Sequence, residues 1–147
     1  MPGLPFGAAQ SHDVPHELRT YEHVRGIEFI EIDPDLPAPR SAAYRPVAGG
    51  AQMLIRRATP DIDEVSLDED EARGLIAALD VAGLFDWQRV YKPSQGNFVV
   101  TATEWRIDTR IAKRSSTFRS EGEDEFPDSF EHVVGLLVGE APESESV

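Results

Sequence analysis

The sequence has no cysteine, only two lysines beside twelve arginines, and few cations of either kind for its acids. Without cysteine there is no disulfide framework, no thiol nucleophile and no thiolate zinc site. With 14 Lys+Arg against 27 Asp+Glu, the formal charge is −13. Binding to a phosphate backbone rests on neutralising phosphates with Lys and Arg, so nucleic acid is not an expected partner. Long apolar runs are missing too. A membrane span needs about 20 residues, whereas the longest candidate, Val133 to Val138, contains Gly135. Pro2, Gly3, Pro5 and Gly7 interrupt the first ten residues, which lack the basic and apolar regions of a secretory leader. The expected location is cytoplasmic, with no membrane contact.

What is present suits one domain. The 147 residues are 40% apolar and 28% charged, ordinary values for a globular chain with a core. The expected organisation is a loose arm over 1–22, a single domain over 23–139 and an acidic tail over 140–147. No internal repeat is visible.

Periodicity supplies the elements. Ile27–Ile32 alternates with apolar residues on both faces, as in a strand covered on both sides or near an interface. Prolines 34, 37 and 39 end it. A second strand fits Gln52–Ala58, after a Gly49-Gly50 turn. Ala72, Leu75, Ile76, Leu79 and Ala82 form one stripe of an amphipathic helix. Ser66 with Glu69 is the candidate capping box, and Gly83 the left-handed stop, with Leu84 folding back. A long strand fits Phe98–Ala112, where Trp105, Ile107, Thr109 and Ile111 face one way and Arg106, Asp108 and Arg110 the other. A turn over Ala112–Arg114 leads to a partner strand, Ser115–Ser120. Phe130, Val133, Val134 and Leu137 make a second helical stripe, with Pro127 in its first turn and Phe126 as a staple. The predicted class is α+β, of order β-β-α-β-β-α. It has two layers: about four mostly antiparallel strands with two helices on one face.

Charge is segregated. Residues 61–80 carry net −7 and 116–147 net −8, while 81–115 carry +3 and 1–60 carry −1. Arg106 and Arg110 thus mark a basic sheet face able to meet an anion or an acidic partner.

Motifs for chemistry are sparse. His12, Asp13, His16, Glu17 and His23 are near one another in a proline-containing arm, a poor frame for zinc. Asp33 and Asp61 each open an Asp-x-Asp run, but neither continues with the glycine and glutamate of a calcium loop. Glu28 with Glu31, or Asp68 with Asp70, are the available carboxylate pairs for acid–base work. No Gly-x-Ser-x-Gly, Ser-x-x-Lys or His-Glu-x-x-His occurs, and Ser94-Gln95-Gly96-Asn97 lacks a phosphate-loop lysine. The expectation is no catalytic residue, no metal and no cofactor. Aromatics gather around the third strand (Trp87, Tyr91, Phe98, Trp105, Phe118). The candidate ligand or partner residues are Trp87, Trp105, Arg106 and Arg110.

From Ala42 to Val138 the order of features resembles a loose group of small bacterial proteins. The features are Gly49-Gly50, Leu84-Phe85-Asp86-Trp87, Trp105-Arg106-Ile107, and Gly122 followed by Phe126-Pro127 and Phe130. That group usually has Asp-Gly before the tryptophan, where this chain has Ala102-Thr103-Glu104. The resemblance implies an α+β fold and no catalytic residue. The leading functional expectation is a non-enzymatic interaction domain, using a sheet face or strand edge to meet a protein partner or a second copy. The alternatives are a ligand or enzyme pocket between helices and sheet, and an acidic inhibitor that blocks a basic protein.

Overall fold

A computed structural model describes residues 14–91, 103–112 and 117–139. Its elements are β1 (Val24–Ile32), β2 (Arg40–Val47), β3 (Gly50–Arg57), β4 (Asp63–Asp68), α1 (Glu69–Ala82), β5 (Val90–Tyr91), β6 (Glu104–Ile111), β7 (Thr117–Glu123) and α2 (Phe130–Val138). Single 3₁₀ turns stand at His16–Leu18 and Leu84–Asp86.

The α+β class with two α-helices holds, but the strand count does not. The strands form one seven-stranded sheet, ordered β4-β3-β2-β1-β6-β7-β5, where about four were expected. All neighbours are antiparallel except β5 with β7. The unanticipated β2 has Pro46 within it, which reads as a breaker. In the fold, Pro46 sits opposite Ala51 beside the tight hairpin turn, where one missing donor costs little. Ala42 and Tyr44 of β2 supply the buried alternation. The unanticipated β4 is rich in acids, which local preference keeps out of strands. Full pairing with β3 overrides that preference.

The capping box also falls two residues later than predicted. The Glu71 N–H donates to the Asp68 carboxylate (2.8 Å), and the Asp68 N–H donates back to the Glu71 carboxylate (2.9 Å). Ser66 lies in β4 instead. At the other end, Gly83 takes φ 96°, a conformation costly for a side chain bearing Cβ. Pro127 does not enter a helical turn, because α2 begins at Phe130, whose N–H donates to the Pro127 carbonyl (3.0 Å). Phe126 packs on Phe130 with ring centroids 4.8 Å apart, as the staple requires. The Phe98–Ala102 part of the long predicted strand and most of the predicted 112–114 turn lie outside the described residues.

The core lies between one sheet face and the helices. It joins Ile27, Phe29, Tyr44, Met53, Ile55, Trp105 and Ile107 to Ile76, Leu79, Phe130, Val133 and Leu137. Residues 14–22, read in the sequence as part of a loose arm, pack against this body. Val14 is fully buried and its N–H donates to the Phe85 carbonyl (3.2 Å). Arg19 donates to the Val14 carbonyl (2.7 Å), to Asp86 (2.7 Å) and to Asp80 (3.2 Å). That clamp ties the segment to the end of α1.

Candidate functional site: the uncovered face of the sheet

The period-two alternation of each strand sorts side chains to opposite faces. In β6 it separates Trp105 from Arg106 and Arg110, and Trp87, after the 3₁₀ turn, joins Trp105. Trp87 and Trp105 turn inward and are only 5% and 2% exposed. Their rings meet edge-on with centroids 5.6 Å apart. Trp87 Nε1 donates to Ser129 Oγ (3.1 Å), and Trp105 Nε1 donates to the Glu125 carbonyl (2.9 Å). Ser129 makes no side-chain cap bond at the start of α2. Both tryptophans are core residues. Arg106 and Arg110 point the other way and are exposed. Arg106 and Arg110 thus lie on the side of the sheet away from the helices, where a depression is lined by Arg106 and the edge of Trp105.

The outward side carries the candidate site. Among the described residues no helix covers it. Strand register arranges its side chains in rows across the sheet. One row places Arg45 beside Gln52 and Ser66, and on the other side of β1 places Arg110 beside Thr117. The next runs Glu64, Leu54, Ala43, Glu28, Asp108, Arg119. The third runs Arg56, Ser41, Ile30, Arg106, Glu121, and the fourth runs Ile32, Glu104, Glu123. The first and third rows are led by arginine and the second and fourth by carboxylates.

Apolar side chains lie between these charges. Ile32 is 50% exposed and Leu54 49%, and Ile62 beyond β3 is 56% exposed. Ile30 joins them, lining one depression with Ile32 and another with Leu54 and Ile62, and an exposed apolar band of this kind favours a covering partner. Two shallow depressions of about 340 and 350 Å³ meet at Ile30 and Arg106. Among the described residues of this face Asp108 is the one acid held by a bidentate arginine, accepting from Arg119 at 2.7 and 3.2 Å, while Arg106 stands 3.7 Å away. The bond to Asp108 raises the Arg119 pKa. Arg110 lies over Gly26, whose missing side chain leaves room for the guanidinium. Arg56 Nε is buried with no hydrogen-bond partner among the described residues.

Other sequence candidates disperse. Glu28 faces outward and Glu31 inward, where Glu31 accepts from Arg40 Nε at 2.6 Å. His16 is exposed, His23 pairs with Thr20 Oγ1 at 2.8 Å, and His12 lies outside the described residues. No group of three or more potential metal ligands occurs among the described residues. The acids of 61–71 and of 121–125 flank opposite sides of the sheet, so they do not make one continuous face. Arg56, Glu104 and Arg119 were missed in the sequence because their neighbours across the strands are distant in the chain. Two signals were available: alternation in β6, which puts Glu104 on the face of Arg106, and the pair of apolar faces on Ile27–Ile32. Its outer members, Ile30 and Ile32, are at this site.

Comparison with protein-family models, with curated proteins and with solved structures gave no match.

Proposed function

We propose that this chain is a non-enzymatic, cytoplasmic protein-interaction domain that pairs with a second copy of itself through the uncovered sheet face. The observation that carries this reading is the alternation of charged rows. A two-fold axis parallel to the rows, between the second and third, lays each row on one of opposite sign. Asp108 then faces Arg106 of the second copy, Arg119 faces Glu121, and Arg110 faces Glu104. An isologous contact needs such self-complementarity. Stacked sheets pack about 10 Å apart with strands turned by about 30°, a spacing that long arginine and glutamate side chains span. Ile30, Ile32 and Leu54 supply the apolar area that charge pairs alone do not, since exposed ion pairs contribute only about 0–1 kcal/mol each. Supporting the non-enzymatic part, the buried charged groups among the described residues, Arg19 and Glu31, are each taken up by partners that hold the fold together. No helix among the described residues is long and apolar enough to cross a membrane.

Sedimentation velocity at about 100 μM tests the reading, that concentration being high enough to populate a weak dimer. A dimer is expected for the native chain and a monomer for Leu54→Arg, which sets the new cation on Arg56 of the second copy, with unchanged far-ultraviolet circular dichroism. A monomeric native chain, or a Leu54→Arg variant that remains dimeric, refutes it.

A further inference from the structure

The strand β4 closes one side of the sheet, and among the described residues no strand lies beyond it. An edge strand offers a row of unpaired backbone donors and acceptors to any extended chain. This edge runs six residues in unbroken register with β3, without a bulge or proline. Behind it, on the helix side, an apolar groove of about 500 Å³ opens between β4 and α1. Val65 and Leu67 line its strand wall, and Leu75 and Leu136 line it from the helices. Two of the α1 residues that line it, Gly74 and Ala78, are small and leave it open; a Cβ added at Gly74 meets nothing within 4 Å.

The charge of the edge decides what fits. Residues 61–71 hold seven carboxylates and no Lys or Arg. Pairing β4 with β4 of a second copy would set Asp63, Glu64 and Asp68 against the same three carboxylates, which disfavours self-association here. A cationic strand is favoured instead. Alternation fixes its pattern: side chains beside Val65 and Leu67 enter the groove, while those between them lie beside Glu64, Ser66 and Asp68 on the outer face.

We infer that the β4 edge and the groove behind it receive an extended segment of a partner protein with alternating apolar and basic residues, added to the sheet as a further strand. This site is separate from the self-pairing face and does not depend on it. Backbone hydrogen bonds give register, the groove selects aliphatic side chains, and the carboxylates select Lys or Arg between them.

The test is fluorescence anisotropy of the full chain with three labelled synthetic peptides, alternating Val-Lys, Ser-Lys and Val-Glu. Saturable binding is expected for Val-Lys, at least about tenfold weaker binding for Ser-Lys, and none for Val-Glu. Gly74→Leu fills the groove, and Asp61→Lys with Glu64→Lys inverts the edge charge at two exposed residues. Each change is expected to weaken Val-Lys binding at least about tenfold while circular dichroism stays native. Equal binding of Val-Lys and Ser-Lys, or indifference to Gly74→Leu, reduces the effect to bulk charge attraction and overturns the inference. So does a complete lack of binding. A dimer abolished by Gly74→Leu would assign the groove to a second copy and likewise overturn it.

Discussion

Two glycine-to-alanine substitutions should move stability in opposite directions, and the structure sets both magnitudes. Gly122 lies in β7 opposite Trp105. A methyl there would sit 2.5 Å from Trp105 Nε1, 2.7 Å from Trp105 Cε2 and 2.7 Å from the Glu125 carbonyl oxygen. Ordinary contacts are about 3.5–4.0 Å, so roughly 1 Å of overlap must be relieved. Trp105 cannot swing aside, because the rings of Phe130 (5.1 Å), Trp87 (5.6 Å) and Tyr91 (5.7 Å) surround it. Overpacking of this kind costs about 1–3 kcal/mol. Losing the indole hydrogen bond to Glu125, with both groups shielded, adds about 1–3 kcal/mol. Gly122→Ala should therefore destabilise by about 2–6 kcal/mol. Gly74 lies inside α1 with open space around it, so Gly74→Ala should stabilise by about 0.5–1 kcal/mol through helix propensity. Urea unfolding followed by tryptophan fluorescence reads both, since the two tryptophans sit in the affected cluster. Shifts of the same sign, or a Gly122→Ala change within about 0.5 kcal/mol of zero, would refute the packing argument.

Asp68→Ala should cost about 1 kcal/mol by uncapping α1, whereas Ser66→Ala should be neutral; thermal melts of the two separate the observed cap from the predicted one. Arg19→Ala should cost about 2 kcal/mol, because bonds to charged groups and to the Val14 carbonyl vanish while Asp80 and Asp86 stay partly hydrated. Native-state hydrogen exchange should show the Val14 amide losing protection first, and unchanged protection would contradict the clamp. Tyr44→Phe should be neutral or slightly stabilising below pH 10, since its buried hydroxyl has no partner among the described residues. Burial pushes the Tyr44 pKa from 10.0 to about 12, so the unfolded chain releases this proton first. Native stability should fall between pH 10 and about 12, and Tyr44→Phe should remove that part of the fall; identical pH profiles would contradict it.

The helices were legible because their stripes are local: Ala72, Ile76 and Leu79 are all buried, as are Phe130, Val133, Val134 and Leu137. The outward sense of Arg106 and Arg110 was legible from strict alternation in β6. The strands β2 and β4 were not. Each is stabilised by hairpin register with β3, while Pro46 in β2 and the acids of β4 mask the pattern of alternation within the strand itself. Pairing across strands hid the site. Trp105 and Arg106 are adjacent in the chain, and adjacency in a strand puts side chains on opposite faces. The partners that give Arg106 its surroundings, Ile30 and Glu121, come from β1 and β7.

A charge-swap pairing tests self-association most directly. Arg110 and Glu104 are both exposed, and in the proposed contact each faces the other across the two-fold. Arg110→Glu and Glu104→Arg should each be monomeric in sedimentation velocity, and an equimolar mixture of the two should regain the dimer. Variants that stay dimeric alone, or a mixture that stays monomeric, would contradict the assigned face.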